Sequence, residues 1–160
     1  MISNSVNEKM ISFKELEKKI FKYVCELGCE ITRSILEAYD DAVAVKRDKQ
    51  KYRNKGKRAT CIKTVYGSVK YQRRIYGTIT ENGEKAYVYL LDAEMRMDKI
   101  GMISSNLAEK IAMTVTESPY RVTAETISST SGQSISASGV WNVMQRLGEK
   151  ISEEEKYAVK

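Results

Sequence analysis

The 160-residue sequence contains no histidine. That removes the imidazole general base, the Ser-His and Cys-His nucleophile systems, and every imidazole metal ligand. Cysteine is scarce: Cys25, Cys29 and Cys61 are the three present. Cys25 and Cys29 lie four apart and share a face of any helix that carries them. With Cys61 they would offer three soft ligands, where structural zinc takes four. Small buried apolar residues in a reducing compartment are the simpler reading of these thiols. The start, MISNSVNEKM, lacks the apolar stretch of a secretory signal. The apolar run Tyr87 to Leu91 is far too short to span a bilayer. The expected setting is therefore the cytoplasm, with no membrane partner and no cofactor.

What is present is positive charge, and it is concentrated. Residues 1–45 carry a net −2, residues 46–100 a net +9 and residues 101–160 a net −1, for +6 in all. The centre of the excess is KRDKQKYRNKGKR, Lys46 to Arg58: eight Lys or Arg, one acid (Asp48), and Tyr52 among them. Such a block repels itself and needs free solvent or an anionic partner, of which nucleic acid phosphate is the commonest. The candidate cations are Lys46, Arg47, Lys49, Lys51, Arg53, Lys55, Lys57 and Arg58. A merely solvated charge run is the competing reading.

The three charge zones also differ in pattern. In 1–45, Ser12-Phe13-Lys14-Glu15 is a capping box, with Ile11 and Leu16 placed for a hydrophobic staple. Apolar residues then recur at Phe13, Leu16, Ile20, Val24, Leu27, Ile31 and Ile35, a helical stripe spaced close to a heptad. This predicts one long amphipathic helix from Ser12 to beyond Tyr39, packed on its own domain or forming a homodimer seam. Gly28 within the stripe marks a close approach.

In 46–100 the end of the block, around Asn54 and Gly56, reads as a turn or loop leading into strands. Residues 60–76 read as a β-hairpin turning at Tyr66-Gly67-Ser68. A second turn centres on Asn82-Gly83, and Lys85 to Leu91 reads as a third strand. The resulting small antiparallel sheet would add Arg73 and Arg74 to the basic surface. In 101–160, one stripe runs through Leu107, Ile111 and Val115. Ser118-Pro119 reads as a cap with proline at the first helical position, ahead of a helix lined by Tyr120, Ala124 and Ile127. Ser136 can cap a last helix facing inward through Val140, Met144, Leu147 and Ile151. Three helices joined by tight turns are the plan of a helix-turn-helix unit. The solvent side of the last helix would then present Ser138, Asn142, Gln145 and Arg146, which suit hydrogen bonds to base edges.

Four segments together resemble the N-terminal part of the ISLre-type insertion-sequence transposases, also catalogued as an uncharacterised bacterial protein family. They are YRNKGKRATCIKTVYGSVKYQRRIY (Tyr52 to Tyr76), KAYVYLLD (Lys85 to Asp92), NLAEKIA (Asn106 to Ala112) and SGQSISASGVWNVMQ (Ser131 to Gln145). The likeness runs from about Phe21 to Leu147. It implies a DNA-binding region for element ends, which in the family precedes a metal-dependent catalytic domain with an acidic triad. This chain stops at Lys160, so the resemblance implies a truncated transposase without catalytic residues. The acids present, including Glu153 to Glu155, show no pattern that would converge on a metal.

The expectation is thus an α+β, mostly α, DNA-binding protein that is not an enzyme. It would have a long helix (1–45), a basic segment with a small antiparallel sheet (46–100), and a helix-turn-helix-like region (101–160). The alternatives are a dimeric protein-interaction module with a solvated basic block, or an RNA-binding protein, since phosphate affinity alone does not separate RNA from DNA.

Overall fold

In the computed structural model, residues 11–95, 97 and 102–158 are described. The fold is α+β. Helix α1 (Phe13–Lys46) leads into a three-stranded antiparallel sheet of β1 (Arg53–Thr64), β2 (Gly67–Ile79) and β3 (Lys85–Val88), with β2 in the middle. A short helix α2 (Leu90–Glu94) follows, then α3 (Ser105–Val115), α4 (Tyr120–Thr130) and α5 (Ala137–Ala158). Among the described residues, no helix is long and apolar enough to cross a membrane.

The start of α1 follows from its capping box. The Ser12 hydroxyl accepts from the Glu15 N–H at 3.3 Å, and the Glu15 carboxylate accepts from the Ser12 N–H at 2.9 Å. Two backbone donors that the helix cannot satisfy internally are thereby paired. The Ser12 N–H, and then the Ser12 hydroxyl donating to the same carboxylate at 3.1 Å, hold the Glu15 carboxyl below its ordinary pKa.

The helix does not lie on the sheet with its apolar stripe. Its buried residues are Cys25, Leu36 and Asp40, with Cys29, Thr32 and Val43 half-buried along the same line. The row from Phe13 to Ile35 is exposed at every position. The stripe thus belongs to the far side of α1, and packing on its own domain is not its role. The inner side is narrower and smaller because α1 runs beside a strand edge. Strand β3 covers only Tyr76 to Ile79 of β2. Further up that edge, the N–H groups of Gln72 and Arg74 donate to the carboxylates of Glu37 and Asp40, each at 2.9 Å. Carboxylates on α1 thus terminate an edge that would otherwise be open.

The hairpin is longer than its sequence signals. Pairing runs from Thr64↔Gly67 to Arg53↔Gly77. Arg53 to Arg58, expected as a loop, is therefore strand. The Asn54 and Gly56 signal is a β-bulge: register shifts between Asn54 and Lys57, the Asn54 side chain accepts from the Gly56 N–H at 2.8 Å, and Gly56 has φ +97°. Strand β3 ends at Val88, and Leu90 and Leu91, expected in it, begin α2.

Two apolar clusters form. Leu36, Val69, Tyr71 and Leu91 join α1, β2 and α2, while eight buried residues from Ile103 to Val143 close the C-terminal bundle. In the bundle Pro119 is itself the residue before α4, and Ser118 makes no side-chain cap. Tyr120 is 39% exposed, and its expected place inside goes to Thr123. On α5, Val143 is buried beside Val140, and Ile151 faces out. The side chains of Glu154 and Glu155 lie outside the described residues.

The hairpin turn ties the two clusters together. The Gly132 N–H donates to the Val65 carbonyl at 2.9 Å, and a Cβ on Gly132 would sit 1.8 Å from the Tyr66 carbonyl oxygen. On the other side the Tyr66 ring covers Gly28, where an added Cβ would meet it at 2.8 Å. The Ser68 hydroxyl bonds the buried Gln133 side chain at 2.9 Å. Lys63 adds a two-residue bridge to the start of α3, through Met102 and Ser104 at 2.8 Å each.

Candidate nucleic-acid interface

The basic block is built around two residues whose side chains are tied to backbone. Arg47 follows the last turn of α1. Its guanidinium donates to the carbonyls of Ala44 and Tyr52 and lies 5.4 Å from the centre of the Tyr76 ring. Asp48, the block's one acid, is turned onto backbone. Its carboxylate accepts from the N–H groups of Gln50 and Lys51 at 2.8 and 3.2 Å, and its carbonyl from Tyr52 at 2.9 Å. That turn folds the chain back into β1. Its remaining cations, Lys46, Lys49, Lys51, Arg53, Lys55, Lys57 and Arg58, are all exposed.

Five cations come together where this turn meets the far end of the hairpin. Lys49, Lys51, Arg53, Lys55 and Lys85 border a groove of about 530 Å³ with Ile79 and Tyr87 in its wall and no acid among its lining residues. Tyr87 is 65% exposed. An open aromatic ring amid lysines offers a stacking surface beside phosphate-binding charge. Lys85 and Tyr87 are absent from the sequence-level candidates. The available signal was their alternation on β3, which faces the block only through the strand order.

Arg73 and Arg74 do not join that surface. Arg73 is ion-paired to the buried Asp92 and lies 3.8 Å from the centre of the Tyr89 ring. Arg74 bonds Asp40 and Asp41, each at 2.6 Å, with 18% of its side chain exposed. Each is used to hold the sheet to a helix, because a carboxylate from α1 or α2 reaches it first. Lys57 is exposed but lies 3.5 Å from Asp41. The Arg74 hydrogen bond, then the Lys57 charge, keep the Asp41 carboxyl below its ordinary pKa.

On α5, Ser138, Asn142, Gln145 and Arg146 are exposed, as the helical spacing predicts. Ser136 receives the Gly139 N–H at 3.1 Å, as a cap does, and also bonds the Ser138 hydroxyl at 3.0 Å. Trp141, unremarked in the sequence, is 47% exposed on the same helix. Arg146 borders a second cavity, of about 470 Å³, with Thr60, Tyr71 and Arg73 of the sheet. The basic groove lies elsewhere. Arg53 is seven residues along β1 from Thr60, about 24 Å at roughly 3.4 Å per residue. The two candidate sets are thus separate surfaces, not one patch.

The three thiols are free. Burial pushes the Cys29 thiol upward in pKa, with Cys25 and Cys61 adding to it, which disfavours the thiolate a metal would need. Among the described residues, no three Cys, His, Asp or Glu side chains form a metal-holding group.

A family model described as "Uncharacterised protein family (UPF0236)" matches residues 6–159. No curated protein and no solved structure matches the chain.

Proposed function

We propose, for a chain that belongs to the uncharacterised protein family UPF0236, that it binds DNA as the N-terminal portion of a transposase. The observation that carries this reading is the groove of five cations without an acidic lining residue, beside an exposed tyrosine. Each phosphate neutralised there releases counterions, so such a surface supplies affinity without sequence information. Sequence preference would come from α5, where Asn142 and Gln145 can each pair with an adenine edge and Arg146 with guanine. The resemblance of four segments to the ISLre-type transposases supports DNA, and element ends in particular, over RNA. On this reading the chain binds without nicking or joining strands. Two copies would associate through α1, whose apolar stripe its own core leaves uncovered.

Titrated against duplex DNA in a gel-shift assay, the protein should lose log affinity against log salt with a slope of roughly −5 to −7, if six to eight cations meet phosphates. Lys51, Arg53, Lys55 and Lys57 changed together to Glu should abolish the shift and leave the far-ultraviolet dichroism unchanged. Unaltered binding by that variant sinks the reading. Tighter binding to structured RNA than to any duplex DNA would transfer the groove to the RNA alternative.

A further inference from the structure

We propose that a second copy of this chain lies antiparallel along the outer face of α1, with a two-fold axis between Val24 and Leu27. The proposal rests on the homodimer in the reading above and specifies its arrangement. The exposed row Leu16, Ile20, Val24, Leu27, Ile31 and Ile35 is 39–53% exposed at each position. Its steps are 4, 4, 3, 4 and 4, the same read from either end. Reversing one helix about the midpoint therefore sets Leu16 against Ile35, Ile20 against Ile31 and Val24 against Leu27. A two-fold interface needs this self-complementarity, because one patch must fit itself.

Two further observations favour this occupant. Leu16 and Leu27, and likewise Ile20 and Ile31, are eleven residues apart, a repeat of about 3.67 residues per turn that keeps the row on one side of a nearly straight helix. With Phe13, Phe21 and Tyr39 at its margins, the row would remove roughly 800 Å² per chain from water, the size of a standard interface and more than most monomers expose in one patch. Charge then chooses the direction. Lys19 and Glu30 are also eleven residues apart, so they share one flank of the row. In the antiparallel pairing, position 19 of one helix lies opposite position 32 of the other, within half a turn of Glu30. Two Lys19–Glu30 pairs, related by the axis, flank the apolar seam. A parallel pairing instead places Lys19 level with Lys19. The antiparallel arrangement also sends the two basic grooves to opposite ends of the dimer, about 60 Å apart at about 1.5 Å rise per residue.

Zero-length carbodiimide cross-linking of the full chain tests this directly. Within one helix Lys19 and Glu30 are about 16 Å apart along the axis, beyond such a reagent's reach. A Lys19–Glu30 cross-link must therefore join two chains. We expect it as a principal product in the band at twice the 18.2 kDa chain mass. Ile20→Glu with Ile31→Glu should sediment as a monomer with unchanged helix content, since both side chains already stand half in water. A wild-type chain that stays monomeric at high micromolar concentration overturns the proposal and the homodimer together. A dimer that lacks the Lys19–Glu30 link overturns the antiparallel arrangement alone. Neither result touches the DNA titration, which the grooves decide.

Discussion

The C-terminal bundle and the sheet half of the chain bury their interiors with different materials. Between α3, α4 and α5, eight buried apolar residues from Ile103 to Val143 meet, and partly buried Met144 and Leu147 pack around them. Between α1 and the sheet the buried apolar cluster is only Leu36, Val69, Tyr71 and Leu91. The rest of that junction is held by charge. Among the described residues both buried carboxylates, Asp40 and Asp92, lie in the sheet half, each on an arginine of β2. A thin sheet rich in lysine and arginine cannot supply much apolar area. It is instead fastened by the few cations that its helices neutralise, and the cations left over are the ones offered to a partner.

This contrast is most exposed at Asp40. Its carboxylate is fully buried and accepts from both the backbone N–H and the guanidinium of Arg74. Asp40→Ala would leave the strand-edge Arg74 N–H without its acceptor, and the mostly buried Arg74 guanidinium with only the exposed Asp41. Removing one partner of a buried pair costs about 3–5 kcal/mol. Urea denaturation followed by far-ultraviolet dichroism should show that loss. A loss below about 1 kcal/mol, the range of an exposed pair, would mean that the sheet half does not depend on its charges.

The corresponding change in the bundle is Leu107→Ala. Leu107 is fully buried in the apolar cluster, and truncation there costs about 2–5 kcal/mol through lost transfer energy and the cavity left behind. Trp141, the one tryptophan, reports on the bundle through its fluorescence. The hairpin turn locks the halves together where Gly132 meets Tyr66, so both variants should shift the Trp141 transition and the dichroism transition alike. A Trp141 transition that responds to Leu107→Ala and ignores Asp40→Ala would show two independently unfolding halves.

The halves should also divide the work of binding. Asn142→Ala or Gln145→Ala should weaken discrimination between DNA sequences by about 1–3 kcal/mol for each lost bidentate contact, with nonspecific affinity nearly unchanged. Competition gel shifts with cognate and scrambled duplexes measure both quantities. Full retention of preference by both variants would remove α5 as the reader.

Local chemistry made much of this legible. The capping box at Ser12 marked the start of α1, the Tyr66-Gly67-Ser68 signal fell one residue past the Val65-Tyr66 turn, the Asn82-Gly83 signal placed the second turn, and the apolar periods of 101–160 placed three helices. What local pattern could not supply was partnership across the chain. Periodicity found the stripe on α1 but not its direction, since around Leu36 the inner side was written mostly in small and polar residues: Cys25, Cys29, Thr32 and Asp40. Arg73 and Arg74 looked like neighbours of the basic block, because nothing near them in sequence announces Asp92, Asp40 or Asp41. Gly132 and Gln133, within a segment that carried the family resemblance, serve the junction between the halves rather than a ligand. Lys85 and Tyr87 reached the groove only because β3 pairs with β2.

The smallest effect concerns Asp41, where the structural and the free cations meet. Arg74 bonds it first and Lys57 lies near it, and together they hold its carboxyl below the ordinary carboxylate value. A carboxyl with a lowered folded pKa binds its proton less readily in the folded chain than in the unfolded one. Its stabilisation is therefore complete above the unfolded value, about 3.9, and disappears as pH falls through the lowered folded value. Asp41→Asn should melt slightly below wild type at neutral pH, because an exposed carboxylate is well screened by water. The gap should begin to narrow near pH 4 and close at more acid pH. Melting temperatures of the two proteins at steps from pH 7 downward measure the gap. A gap that holds constant, or widens, into the acid range would show that Asp41 does not share in fastening β2. Lys57 would then count without discount among the cations free to meet phosphate.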